Sequence, residues 1–254
     1  MKSNSASSKH RSPRFWRWLG RHELAVLAFL ALIVSGIWLF VEIADEVLED
    51  ETLWLDRTIM LAMRHAGDPA DPWGPLWLEE MGRDFTALGG IGVLTFVSLT
   101  VIGYLLLDRK SKLALFVAAA VVGGVLLSSA LKLGFGRPRP DLVPHASHVV
   151  TTSFPSGHAM MAAVTYLTLA GLLVRITARR RVKVYIVGVA SLLTLLIGIS
   201  RVYLGVHWPT DILAGWTAGA TWAVLCWFGA WALQHRGKIE TSEAEQPELL
   251  APKK

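Results

Sequence analysis

Six apolar runs organise this chain, at about 24–41, 88–107, 113–131, 159–174, 184–199 and 212–233, each set off from the next by polar sequence. An α-helix rises about 1.5 Å per residue, so runs of this length cross a hydrocarbon core about 30 Å thick with modest tilt or help from their flanks. None of the six contains Asp, Glu, Lys, Arg or His. The pattern predicts an all-α polytopic membrane protein, a six-transmembrane-helix bundle spanning residues 23–233. The first run is long, lacks a small-residue cleavage site and leads into acidic sequence, so it is expected to stay as an anchor.

Composition supports the membrane class, with 53% hydrophobic residues, a mean hydropathy of +0.44 and eleven tryptophans. The clean runs weigh against a proton-coupled transporter or ion pump. Such proteins keep an ionisable group at membrane depth, where it costs about 2.5–3.5 kcal/mol on insertion scales. The single cysteine, Cys226, lies within the sixth run, which excludes an intramolecular disulfide and a thiolate metal cluster.

The net charge of +5 is sorted by side of the bundle, which argues against nucleic acid as a partner. Residues 1–22 carry Lys2, Lys9, Arg11, Arg14, Arg17 and Arg21 without an acid, and the connections after the second and fourth runs are also basic. By the positive-inside rule this side is cytoplasmic, so the 1–22 tail and the acidic, Pro-containing 234–254 tail are expected to be cytoplasmic, the latter disordered. The opposite, extracytoplasmic side holds the 45–88 connection, with eleven acids against Arg57, Arg64 and Arg83. Within it, Leu53 to Met63 has helical spacing, and with Trp73 and Trp77 it reads either as an interfacial rim or lid or as a packed connector.

Three stretches sit at the extracytoplasmic ends of the last four runs: Lys132-LGFGRPRP, Pro155-Ser-Gly-His158, and Ser200-RVYLGVHWPTD. The cations of the first oppose the acidic bias of their side. An anionic ligand accounts for them, and topology does not. Lys132, Arg139 and Arg201 offer charges to one phosphoryl group, with Arg137 a candidate fourth; arginine's planar fork matches phosphate oxygens and lysine adds a compact charge. Ser156 and Gly157 precede a helix whose first N–H groups point outward, an anion cradle. His207 and Asp211 stand four apart, so the carboxylate can hold one imidazole nitrogen and leave the other as a nucleophile, at a position expected to be exposed in the pocket. His158 is placed to protonate a leaving oxygen. One histidine attacks and the other donates, and the residues alone do not decide which.

The three stretches resemble the signature of the type-2 phosphatidic acid phosphatase superfamily, K-x6-RP, PSGH and SR-x5-H-x3-D, matched from Lys132 to Asp211 without departure. The resemblance implies a metal-independent lipid phosphatase without a cofactor, in which His207 forms a phosphohistidine, Asp211 orients it, and His158 acts as general acid and then base. Lys132, Arg139, Ser156, Gly157, His158 and Arg201 would hold the phosphoryl oxygens. The substrates it implies are membrane lipids at the outer face of the inner membrane: undecaprenyl diphosphate, phosphatidylglycerophosphate, phosphatidic acid or a lipid A phosphate. A lipid phosphotransferase using the same intermediate and a non-catalytic lipid-phosphate binder or flippase are the alternatives. Vanadate-dependent haloperoxidases share this kind of pocket, but those resembling it are soluble. The Gly89-to-Gly92 cluster opens a span and reads as close helix packing, not as a dinucleotide fingerprint.

Overall fold

The computed structural model describes residues 23–141 and 152–235. The 1–22 tail, part of the connection before the Pro-Ser-Gly-His stretch, and the tail beyond 235 lie outside them. Eight helices are described: α1 (Glu23–Leu48), α2 (Leu53–Ala62), α3 (Leu76–Leu88), α4 (Ile91–Leu107), α5 (Ser111–Gly134), α6 (Gly157–Ile176), α7 (Arg180–Tyr203) and α8 (Pro209–His235). A π-helical turn over Ala163–Leu167 interrupts α6. One antiparallel hairpin, β1 (Arg64–His65) with β2 (Asp68–Pro72), is the exception to the all-α expectation.

Helices α1, α5, α6, α7 and α8 are each long and apolar enough to cross a membrane. The 17-residue α4 joins them as a sixth span only together with α3, from which it bends by 47°. At that bend the Tyr166 hydroxyl donates to the Leu88 carbonyl at 2.8 Å, satisfying an acceptor that the end of α3 leaves without a helical partner. Helix α1 runs past its predicted apolar stretch because Ala44 and Val47 continue its buried stripe, packing with Phe154 and Ala214 beneath the candidate site.

Helix α8 is central, and small residues let its neighbours approach. A Cβ on Gly215 would stand 2.7 Å from the Ser156 carbonyl oxygen of α6, and one on Gly219 would stand 2.4 Å from that of Met160. Only glycine fits such backbone-to-backbone approach, and Gly215 and Gly219 make the small-xxx-small spacing used between membrane helices. Elsewhere indoles lie over facing glycines, Trp222 on Gly123 and Trp216 on Gly198. Their N–H groups donate to the Ala120 and Thr194 carbonyls at 2.8 and 3.0 Å, so the polar tip of each ring is paired as its body packs. Gly89 likewise abuts Ile197 and the His158 ring, in keeping with a packing role.

Helix α2 is two-faced. Asp56 and Met60 are fully buried, while Trp54 and Leu61 on the other side are exposed, as are Trp73 and Trp77. The segment is a packed connector on its inner face, and it presents an apolar rim outward.

Candidate active site

The turn between α7 and α8 is built by two local motifs encoded a few residues apart. Gly205 has a φ of +72°, its N–H donates to the Val202 carbonyl at 2.9 Å, and the Val206 N–H donates to the Arg201 carbonyl at 3.1 Å. These two bonds form a Schellman stop, which requires the left-handed conformation that glycine supplies freely. Three residues later α8 starts with Pro209 in its first turn, where proline's missing N–H costs nothing. Asp211 reaches back to accept the Trp208 N–H at 2.9 Å, as in a capping box. His207 sits between the stop and the start and has little freedom to move.

Its ring is oriented from both sides. Nδ1 lies 3.3 Å from Asp211 Oδ2, and Nε2 lies 3.3 Å from Arg139 Nη1, whose guanidinium also donates to the Val206 carbonyl at 2.9 Å. Asp211 as acceptor selects the tautomer protonated at Nδ1, leaving the Nε2 lone pair toward Arg139. His207 is 1% exposed, so the expectation of an exposed histidine is corrected: Asp211, Ser153 and Arg139 surround its ring. Burial pushes its pKa down to about 4, overriding the hydrogen bond and charge of Asp211, which favour protonation. At neutral pH His207 is uncharged.

Lys132 ends α5, Gly157 and His158 begin α6, Arg201 ends α7 and Asp211 begins α8, so antiparallel helices bring all of them to one end of the bundle. Arg201, His207, Arg139 and Lys132 all lie close enough to His158 to act on its charge. Lys132 donates to the Thr152 carbonyl at 3.1 Å, and the Thr152 hydroxyl returns a bond to the Lys132 carbonyl at 3.1 Å, which pins the chain entering the Pro-Ser-Gly-His stretch. Ser156 caps α6 through its hydroxyl, and its own N–H donates to the Asp211 carbonyl at 3.0 Å, tying the second motif to the third. Gly157 faces Lys132, whose Cε would lie 3.4 Å from an added Cβ. The buried Arg201 Nε has no hydrogen-bond partner among the described residues. Lys132, Arg139 and Arg201 are three cations close enough to repel one another, an arrangement with the chemistry to receive an anion of several oxygens.

Arg137 is placed differently from its expected role beside the anion. Its side chain is 7% exposed and bridges two carboxylates, donating to Asp56 Oδ2 at 2.6 Å and Asp211 Oδ1 at 2.8 Å, with a further bond to Thr210 Oγ1 at 2.7 Å. Two buried carboxylates without a cation would each carry a desolvation cost of several kcal/mol, and this demand takes Arg137 out of the pocket. Its guanidinium carbon lies 5.7 Å from the centre of the Trp208 ring, a cation–π contact.

Several contributors escaped the sequence reading. The Ser153 hydroxyl donates to Asp211 Oδ2 by a short hydrogen bond, and Trp208 Nε1 donates to the Pro138 carbonyl at 3.1 Å. Asp56 accepts the Thr210 N–H at 2.9 Å and the Thr210 hydroxyl at 2.6 Å, a cap on α8 supplied from α2. A signal for Asp56 exists in the sequence: it shares the buried stripe of an amphipathic helix with Met60, and an acid on such a stripe needs a partner. Ser153 carries no comparable signal. Among the described residues, no three His, Cys, Asp or Glu side chains are grouped to hold a metal ion.

Fold and pocket together define a membrane-embedded enzyme of the phosphoryl-transfer kind. The PAP2 superfamily pattern matches residues 111–234, which include all three motifs. Phosphatidylglycerophosphatase B of Bacillus subtilis (strain 168) is 36% identical over 146 residues, covering 56% of this chain and 70% of that protein. The lipid A 1-phosphatase of Rhizobium etli is 29% identical over 174 residues, covering 59% and 71% of the two chains. The crystal structure of the PAP2-type phosphatidylglycerolphosphate phosphatase from Bacillus subtilis superposes with a TM-score of 0.71 at 29% identity, covering 79% of this chain and 96% of that one. The chain belongs to the PAP2 superfamily.

Proposed function

We propose that the protein hydrolyses the phosphate or diphosphate of a membrane lipid through a phosphohistidine at His207. The observation that carries this reading is the imidazole held at Nδ1 by Asp211, with Nε2 turned toward Arg139 among Lys132, His158 and Arg201. The Nε2 lone pair attacks the terminal phosphorus in line as its P–O bond to the lipid alcohol, or to the lipid phosphate of a diphosphate, breaks, and His158 gives its proton to that leaving oxygen. His158 then takes a proton from water, the water oxygen bonds to phosphorus, the N–P bond breaks, and inorganic phosphate leaves. Lys132, Arg139 and Arg201, with Ser156 and Gly157 at the start of α6, neutralise charge on the transferring group. These cations fill the place that a divalent metal takes in other phosphoryl-transfer sites, so the chemistry is metal-independent.

An apolar groove of about 290 Å³ between α1, α5 and α8 supports a lipid as substrate. Phe40 and Leu131 are among its lining residues; Leu131 precedes Lys132, and Phe40 packs on Phe154 two residues before Ser156. A hydrocarbon tail lying there leaves its headgroup at the cationic end of the bundle. That end faces the extracytoplasmic side in this reading, because the basic 1–22 tail and the Arg179 to Lys183 cluster belong to the other. Residues 23–233 then form the catalytic unit between two cytoplasmic tails.

The test is phosphate release by purified protein from phosphatidylglycerophosphate, phosphatidic acid, undecaprenyl diphosphate and a lipid A phosphate, with and without EDTA, together with trapping of the phosphoenzyme. Undiminished release in EDTA and an acid-labile phosphate on His207 are expected. Activity lost in EDTA and restored by magnesium would overturn the reading, and phosphate appearing on a second lipid in place of water would mark a phosphotransferase.

A further inference from the structure

We propose that α2 is a strut whose Asp56 holds the Arg137–Asp211 pair in place behind His207, which makes Asp56 a positioning residue for phosphoryl transfer. This rests on the phosphohistidine reading above. Asp56 lies outside residues 111–234, the part of the chain that matches the superfamily pattern.

Asp56 does more than cap a helix. One oxygen accepts the Thr210 N–H, which a neutral side chain could also do; the other accepts both the Thr210 hydroxyl and Arg137 Nη2. Arg137 Nη1 closes the ring by donating to Thr210 Oγ1 and continues to Asp211 Oδ1, on the side of that carboxylate opposite His207. Asp211 Oδ2 is left for Ser153, the Trp208 N–H and His207 Nδ1. The guanidinium is thus shared by two carboxylates that are each 0% exposed, and the trio carries one net negative charge facing the imidazole. When Nε2 bonds to phosphorus the ring becomes cationic, and this negative charge stabilises it. Without Asp56 the whole of Arg137's charge would fall on Asp211, weakening it as a partner and freeing the guanidinium to draw it away from Nδ1.

The far end of the segment is also fastened. Arg64, 6% exposed, donates Nη2 to the Tyr203 carbonyl at the end of α7 at 2.8 Å. An acid at the start of α8 and a cation at the end of α7 are the signs that the two helix dipoles favour. The strut therefore spans the ends of the turn that carries His207.

The experiment compares the wild type with Asp56→Asn, Asp56→Glu and Arg64→Met, using steady-state kinetics, single-turnover phosphorylation of His207 and thermal unfolding. Asp56→Asn is expected to lower kcat and the phosphorylation rate about 10–100-fold, as removal of outer-shell partners does elsewhere, with KM nearly unchanged. Asp56→Glu, which keeps the charge, is expected to recover part of the rate. Arg64→Met loosens the strut without touching the carboxylates and separates stability from positioning. An Asp56→Asn enzyme with the wild-type rate overturns the proposal, and so does one slowed no more than Arg64→Met at matching melting temperature. If Asp56→Asn does not fold, Asp56→Glu is read against Arg64→Met by the same criterion. Failure of the wild type to phosphorylate on His207 would instead remove the underlying reading.

Discussion

His207 Nδ1 lies 3.3 Å from Asp211 Oδ2, and the imidazole between that carboxylate and Arg139 is almost wholly buried. The arrangement leaves a neutral imidazole whose rear nitrogen is held and whose front nitrogen faces Arg139, as the proposed nucleophile requires. His207→Gln and His207→Ala are both expected to lower turnover at least about 10³-fold and to abolish the phosphoenzyme. Because the site is closed, the alanine variant also leaves a cavity and unpaired polar groups, destabilising by about 1–3 kcal/mol. Phosphate release and melting temperature, measured on both variants, check the two effects separately. Turnover near wild type in either variant would remove His207 as nucleophile.

The same burial sets the pH response. With its pKa lowered to about 4 from the ordinary 6.5, His207 stays deprotonated through the mildly acidic range. The acid limb of kcat/KM that belongs to this residue is expected near pH 4, since that ratio reports groups of the free enzyme. Between those two pH values the unfolded chain binds the extra proton. The stability that His207 contributes is therefore whole above about pH 6.5 and is lost as pH falls toward 4. The difference between wild-type and His207→Gln unfolding across this window isolates it. An acid limb at 6.5 would contradict the closed site.

Arg201 tests the difference between a fork and a point charge. Its Nε is buried without a partner among the described residues, so two oxygens of a phosphoryl group can take this donor and a neighbouring Nη together. Arg201→Lys is expected to reduce kcat/KM on the order of 10²–10³-fold, comparable to removing one donor from an oxyanion site. Steady-state kinetics on one lipid phosphate suffice, and wild-type values would make Arg201 an interfacial anchor.

The α6–α8 crossing is expected to be intolerant of even one methyl group. Gly219→Ala places carbon against the Met160 carbonyl oxygen, and overpacking of this kind costs about 1–3 kcal/mol. The same shift moves Ser156, the residue bonded to the Asp211 carbonyl, so activity and melting temperature should fall together. Gly188→Ala on α7 meets no atom of the described residues within 4 Å and is the matched control. Equal melting temperatures in the two variants would contradict the close approach.

Much of this architecture is legible in the amino-acid sequence. Apolar runs free of charge determined the helices, because no partner can spare a membrane helix its need for about twenty apolar residues. Motif spacing determined that Lys132, Arg139, His158, Arg201, His207 and Asp211 would converge, because antiparallel spans bring alternate ends together. Helix α1 ran longer than its apolar stretch, and the short α4 needed α3 to complete a span, since flanking contacts set those ends.

What only the tertiary structure decided depends on meetings between residues far apart in the chain. Nothing local to Arg137 distinguishes it from Arg139 two positions on; the choice is made by Asp56, 81 residues away, whose buried charge had to be matched. Nothing local to His207 shows that it is enclosed, because partners such as Arg139 and Ser153 reach its ring only once the bundle has packed. Periodicity and charge act within a few residues, whereas the desolvation that redirects Arg137 and neutralises His207 exists only inside the assembled bundle.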